Sequence, residues 1–242
     1  MQQNKKLTGS KTPSATEYSE QYYLSCCGGY QEFLQGRICR RHRLALQYLQ
    51  PQIGENILDI GCGRGELIKE CNLMGANAIG IDYSPSSMKL AAKYLGSGVV
   101  IKADATILPF SDNLFHKVIM LDVVEHLDKD DLIKCLTEVR RVLKRHGWVL
   151  LHTPNLWGEI LDHFYKRIFW KRRVAAKSDD YHNLHVNLLT PMALKRLLKQ
   201  LGFAPEIWFA ADSLLEDVPT SRVMANKLLW FTTSMWCKAR RK

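Results

Sequence analysis

Asn56–Leu67 reads NILDIGCGRGEL, and this stretch decides the fold. Ile57-Leu58-Asp59-Ile60 is an apolar run of strand length. It passes directly into Gly61-Cys62-Gly63-Arg64-Gly65 and then into helical spacing. A buried strand, a glycine loop and a helix form the first half of a nucleotide-binding α/β unit. Glycine serves where a turn is tight or a ligand approaches the backbone closely. The helix N-terminus adds N–H groups and the positive end of its dipole. A dinucleotide fingerprint, G-x-G-x-x-G, needs glycine at position 66. Glu66 stands there, and the third glycine comes one residue early. A glutamate is a poor neighbour for a pyrophosphate and an acceptable one for a ligand with a cationic end.

Strands and helices alternate outward from this loop. Glu66 to Met74 reads as a helix stopped by Gly75. Ala78–Ile81 is the second strand and ends in Asp82, 17 residues after Gly65. An acid at that point is placed to accept two hydrogen bonds from ribose hydroxyls. Tyr83 stands beside it, and Ser84-Pro85 starts a helix through Leu95. Val99–Ala103 is the third strand, followed by Asp104-Ala105, and Lys117–Leu121 is the fourth. Asp130–Lys144 is a helix with acids early and cations late, as its dipole favours. Gly147–Leu151 is the fifth strand and closes in His152-Thr153-Pro154-Asn155. Thr190-Pro191 opens an amphipathic helix through Leu201, with Gly202 as its stop. Pro205–Phe209 is the sixth strand. For the seventh, a strand over Trp230–Ala239 competes with a helix over Ala225–Trp236.

The flanks are less regular. Residues 1–17 are polar and read as a disordered tail. The rest, 18–242, reads as one domain with a helical cap at 18–50 and a basic, aromatic insertion at 156–189. Aromatics at helical spacing within the cap set up Tyr22, Tyr23 and Tyr30 as a lid or as plain packing. The chain of 242 residues is 46% hydrophobic and 24% charged, ordinary for a globular protein. No apolar run approaches the ~20 residues of a membrane span. Seven cysteines, an odd number without metal-knuckle spacing, read as reduced thiols. The net charge of +10 favours anionic partners without choosing among them. It is concentrated in His163–Lys177, HFYKRIFWKRRVAAK, which holds six Lys/Arg and no acid.

D-I-G-C-G-x-G, Asp82, the run A-D-A-T-x-L-P-F from Ala103, and L-D-V-V-E-H from Leu121 recur in fixed order. Together they resemble the class I methyltransferases that use S-adenosylmethionine (SAM), in their type 11 and type 23 groups. Those groups include ubiquinone-type O-methyltransferases. The segment His185-Val186-Asn187 before Thr190-Pro191 carries the closer match. The resemblance implies a three-layer αβα, Rossmann-like fold, with a mostly parallel seven-stranded sheet and an antiparallel last strand. It implies SAM as cofactor and a small-molecule acceptor, in a cytoplasmic protein.

Carried over by position, Asp59 supports the loop, and Gly61, Cys62 and Gly63 meet the methionine end of SAM. Asp82 takes the ribose, with Tyr83 and Met88 beside the adenosine and Asp104 and Ala105 at the adenine edge. Leu121 offers its carbonyl near the ammonium. Methyl transfer needs alignment and exclusion of water, and an oxygen acceptor also needs a base. His126 is the candidate base, with a substrate contact and a packing role as its rivals; Glu125 and His185 are its neighbours. Asp122, Glu125 and His126, with His152, His182 or His185, could instead bind a divalent metal; the expectation is that no metal is needed. The basic insertion at 163–177 suits an anionic membrane surface. Nucleic acid is disfavoured, because no N/D-P-P-Y/F motif follows the fourth strand.

Overall fold

The computed structural model describes residues 11–95, 99–161, 184–209 and 234–242. Seven strands form one sheet: β1 (Asn56–Ile60), β2 (Asn77–Asp82), β3 (Val100–Lys102), β4 (Phe115–Leu121), β5 (Leu143–Pro154), β6 (Phe203–Trp208) and β7 (Ser234–Arg241). Their order is β3-β2-β1-β4-β5-β7-β6. β1 to β5 are parallel neighbours, and β7 runs antiparallel between β5 and β6. The chain winds outward from β1 to β3, then returns to β4 on the other side of β1. In an open α/β sheet, such a reversal leaves a crevice at the carboxyl ends of the strands. The glycine loop leaves β1 at that crevice.

Among the described residues, helices α1 (Tyr30–Leu34), α2 (Arg40–Leu49), α3 (Glu66–Leu73), α4 (Pro85–Leu95), α5 (Lys129–Val142) and α6 (Pro191–Gln200) accompany the sheet. Side-chain alternation shows how the layers form. Leu58, Ile60, Val118, Met120, Val149 and Leu151 point into one core, with α5 and α6. Ile57, Ile119, Trp148 and Leu150 point into the other, with α2 and α3. A strand covered on both faces must be apolar at consecutive positions, which is why β1 is apolar apart from Asn56 and Asp59 and β4 is apolar from Val118 to Leu121. β7 behaves likewise: Met235, Cys237 and Ala239 face one core and Trp236 the other. That period of two settles Ser234–Trp236 as strand; residues 225–233 of the rival helix lie outside the described residues.

Several boundaries differ from the sequence reading. α5 starts after Asp128, whose carboxylate accepts from the N–H groups of Asp130 and Asp131 at 3.0 Å each. It ends at Val142, because Leu143 already pairs with Phe115 as the first residue of a longer β5. The register then shifts before Trp148 meets Lys117, with His146 at φ 67. Thr190 caps α6 by accepting from Ala193 N–H at 3.2 Å. The tail is not free over its whole length. Thr12 donates to Asp131 at 2.7 Å, and Pro13 accepts from Tyr83 OH at 2.8 Å. Residues 1–10 lie outside the described residues, as do His182 and the whole of 163–177.

Candidate functional site

The loop after β1 is shaped by its glycines. Gly61, Gly63 and Gly65 all have positive φ, at 71°, 54° and 83°. The N–H groups of Gly61 and Cys62 both donate to the carbonyl of Ile81, at 2.9 and 3.1 Å. The loop therefore folds over the end of β2. A Cβ on Gly61 would lie 2.5 Å from Val123 Cγ2, so the glycine lets the loop close on the turn after β4.

Asp82 ties this loop to β2. It is 5% exposed and accepts from Gly63 N–H at 3.1 Å and from Ser84 N–H at 2.9 Å. Burial raises its pKa, and these backbone donors work against that rise. Each carboxylate oxygen retains a lone pair beyond the backbone bond it makes. Burial also pushes Asp59 well above the usual carboxylate range, with Glu66 and Asp82 adding to the effect.

The loop, the strand ends and the cap enclose a cavity of about 400 Å³. Asp59, Gly61, Cys62, Gly63, Asp82 and Tyr83 all line it, and so do Asp104, Ala105 and Leu121. Met88 does not: it sits on α4, and the cavity wall there is made by Tyr83 and Asp82. Asp104 lies at the open rim, where it accepts from Thr106 N–H and Oγ1 at 2.8 Å each. Tyr22 and Tyr23 line the cavity as a lid would, joined by Tyr18. Tyr30 is directed elsewhere: its hydroxyl meets Tyr94 OH at 3.1 Å, and its ring lies under the Arg64 guanidinium.

Arg64 reads in sequence as a mere spacer, yet it is 3% exposed. Its Nε pairs with Glu66 at 2.5 Å. Its other nitrogens donate to the carbonyls of Tyr23, Cys27 and Gly28. The glycine loop thus holds the cap over the cavity. Nothing in the spacing of G-C-G-R-G signals this, because the partners are backbone carbonyls some 36–41 residues earlier. Glu66 lines the cavity as expected, but its charge is spent on Arg64.

Glu125, His126 and His185 converge at the other end of the cavity, each with one ligand atom within 4.8 Å of the others. Glu125 is 1% exposed and accepts from Thr153 Oγ1 at 3.0 Å. Burial lifts its pKa to about 7. His126 Nδ1 lies 3.1 Å from the carbonyl of Leu184. A carbonyl only accepts, so Nδ1 carries the proton and Nε2 keeps its lone pair. Burial lowers the pKa of His126 to about 4, so the ring is neutral at physiological pH. Asp122, a member of the alternative metal set, stands outside this cluster. It leaves β4 at φ 55, pairs with Arg41, and meets His152 Nδ1 at 2.6 Å. With both oxygens engaged, it leaves His185 as the third member of the cluster. His152 is accordingly bound to Asp122 and is not among the three.

The six described cysteines are free thiols. Burial raises the pKa of Cys62, Cys71, Cys135 and Cys237, which keeps them protonated. Among the described residues, no helix is long and apolar enough to cross a membrane.

Residues 58–151 match the family model described as "Methyltransferase domain". A relative from Methanocaldococcus jannaschii is 31% identical over 138 residues, 57% of this chain and 52% of that one. The ubiquinone biosynthesis O-methyltransferase of Chromobacterium violaceum is 32% identical over 108 residues, 42% of this chain and 45% of that protein. The chain thus spans about half the length of these curated relatives. A crystal structure of a SAM-dependent methyltransferase from Archaeoglobus fulgidus superposes with a TM-score of 0.58 at 23% identity. It covers 83% of this chain and 94% of its own, and it speaks to the fold. Sheet order, glycine loop and family match agree: residues 58–151 match a methyltransferase domain, and the fold is similar to that of SAM-dependent methyltransferases.

Proposed function

We propose that this chain transfers a methyl group from SAM to an oxygen of a small-molecule acceptor of the phenol, quinol, sugar or lipid-linked type. The observation that carries this reading is one cavity with two chemically distinct ends. One end is the glycine loop with Asp82. The other is the Glu125–His126–His185 cluster.

The residues present fit the cofactor. Seven carboxylates line the cavity, against two guanidinium groups. Even with two of them paired to those guanidiniums and burial raising Asp59, Asp82 and Glu125, this lining suits a ligand with a sulfonium and an ammonium better than a pyrophosphate. Gly61, Cys62 and Gly63 would hold the methionine end with Leu121, Asp82 the ribose, and Tyr83, Asp104 and Ala105 the adenine side. SAM supplies an activated methyl group when bound. The chain's own tasks are then to align the acceptor, exclude water and take a proton. Tyr18, Tyr22 and Tyr23 close the cavity from the cap side. His126 is a candidate base, but burial leaves its ring less basic than the Glu125 carboxylate beside it. We assign the proton to Glu125, whose pKa near neutrality suits general-base work, with His126 and His185 orienting the acceptor hydroxyl.

Titration calorimetry with SAM and NAD, followed by a methyl-transfer screen over phenols, quinols, sugars and tRNA, tests the reading. Binding of NAD in place of SAM removes it. Binding of SAM without any transfer favours a non-catalytic partner subunit. Transfer only to tRNA moves the acceptor to nucleic acid.

A second reading is favoured by the same cluster: one carboxylate and two imidazoles within 4.8 Å suit a divalent ion that would bind the acceptor oxygen. Chelation by EDTA would then abolish transfer, with Mn²⁺ or Mg²⁺ restoring it. Transfer indifferent to EDTA excludes this reading. The basic segment 163–177 is the candidate contact with anionic lipid in a cytoplasmic protein; failure to co-sediment with anionic vesicles at low salt rejects that contact.

A further inference from the structure

The parallel strands all start at the end of the sheet opposite the cavity, and antiparallel β7 finishes there. Two kinds of exposed side chain collect along this edge. Ile53, before β1, is 88% exposed, and Leu73 and Met74, before β2, are 72% and 47% exposed. These two turns meet, because Gly54 N–H donates to the Gly75 carbonyl at 2.9 Å. Lys144 and Arg145 stand at the start of β5, Arg240 and Lys242 around the end of β7, and Lys199 at the end of α6. Lys242 N–H donates to the Gly202 carbonyl at 3.1 Å, which brings the end of the chain beside α6. From β2 to β6 the row crosses five strand spacings, about 24 Å.

None of these five cations is paired with a carboxylate among the described residues. The acids near them have other partners. Glu55 holds Lys117, Asp112 and Glu138 hold Arg141, and Glu206 stands across from Lys238. A single exposed leucine is ordinary. Three exposed aliphatic side chains in line with cations that lack acids match a surface that is anionic outside and apolar just beneath. A nucleic acid would use the cations alone, and single-stranded bases would call for exposed aromatic rings. The large apolar side chains exposed among the described residues are Ile, Leu and Met.

We propose that this edge seats the chain on an anionic lipid bilayer. Ile53, Leu73 and Met74 enter the headgroup layer, and the five cations meet the lipid phosphates. The surface is separate from segment 163–177 and does not depend on the SAM reading. The cavity lies at the carboxyl ends of the strands, so in this orientation it faces water.

Co-sedimentation at low salt tests this with vesicles of phosphatidylcholine alone and of phosphatidylcholine with phosphatidylglycerol. Wild type should bind the anionic vesicles and leave the neutral ones. Arg145→Gln with Arg240→Gln and Lys242→Gln should weaken binding on the order of a hundredfold. Ile53→Ser with Leu73→Ser should weaken it by about tenfold or more. Both variants should melt as wild type does, since every substituted side chain is exposed. If the triple variant does not fold, Arg145→Gln alone decides: a loss of about fivefold supports the proposal and no loss overturns it. Wild type that ignores anionic vesicles overturns it. Undiminished binding in the triple variant does so too, because the contact then lies on another surface such as 163–177. A loss in the charge variant with none in the apolar one overturns it as well, leaving a purely ionic contact. Binding of single-stranded RNA in place of vesicles has the same meaning.

Discussion

Arg64 of the glycine loop donates to the backbone carbonyl of Tyr23, joining the cofactor loop to the cap 41 residues upstream. The same guanidinium pairs with Glu66 out of reach of solvent. A buried pair broken on one side leaves a charge without compensation.

Arg64→Met should therefore destabilise the chain by about 3–5 kcal/mol and release the cap. Urea unfolding measures the first effect and proteolysis of residues 18–30 the second. Arg64→Met with Glu66→Gln should recover part of the stability, since the stranded charge is gone. A single variant that costs less than about 1 kcal/mol would show that Arg64 does not hold the cap.

Asp82→Asn should weaken SAM binding on the order of a hundredfold, because two charge-assisted hydrogen bonds are lost. Tyr23→Phe should weaken it much less, since Tyr23 OH reaches Asp82 only at 3.5 Å. Calorimetry on both variants separates the roles. Equal losses would mean that the lid, not the carboxylate, sets affinity.

Gly61→Ala meets two obstacles: φ of 71° and a Cβ 2.5 Å from Val123. The backbone strain and the overlap together should cost about 2–4 kcal/mol. Adding Val123→Ala should relieve the overlap and leave the strain, so the double variant recovers only part of the lost Tm. Full recovery would assign the whole cost to the side-chain contact.

His42 gives stability an acid limb. Its folded pKa is lowered to about 4, chiefly by burial, from the ordinary value of 6.5. The unfolded chain therefore takes up the proton first. Stability should be full above about pH 6.5, fall as pH drops toward 4, and change no further through this group below it. The loss should be on the order of 2 kcal/mol, since the ring borders the open cavity. His42→Gln should reduce the slope of a urea-midpoint profile taken from pH 7 to pH 4, leaving the share of His126, which burial lowers likewise to about 4. An unchanged slope would place the acid sensitivity elsewhere.

The parts of the site legible in sequence share one property: each is local in the chain. The turn at Gly61–Gly65, the acid after β2 and the acid after β3 follow directly from strand ends, and all three reach the cavity. Met88 on α4 is not part of the cavity wall, which Asp82 and Tyr83 make on that side. Asp122 is paired with Arg41, 81 residues earlier, a partner that no local spacing announces. Tyr30 failed as a lid residue for the same kind of reason: Tyr94 and Arg64 hold it outside.

By itself, then, the sequence determined the alternation of strands and helices, the loop, and the carboxylates along the crevice, because hydrophobic period and glycine placement act over a few residues. Tertiary structure alone decided who pairs with whom. It spent Glu66 on Arg64, set Arg41 between Asp122 and the cavity, and exchanged Asp122 for His185 beside Glu125 and His126. Ion pairs and buried hydrogen bonds form between groups brought within about 3 Å by the packed sheet, and no spacing along the chain encodes that distance.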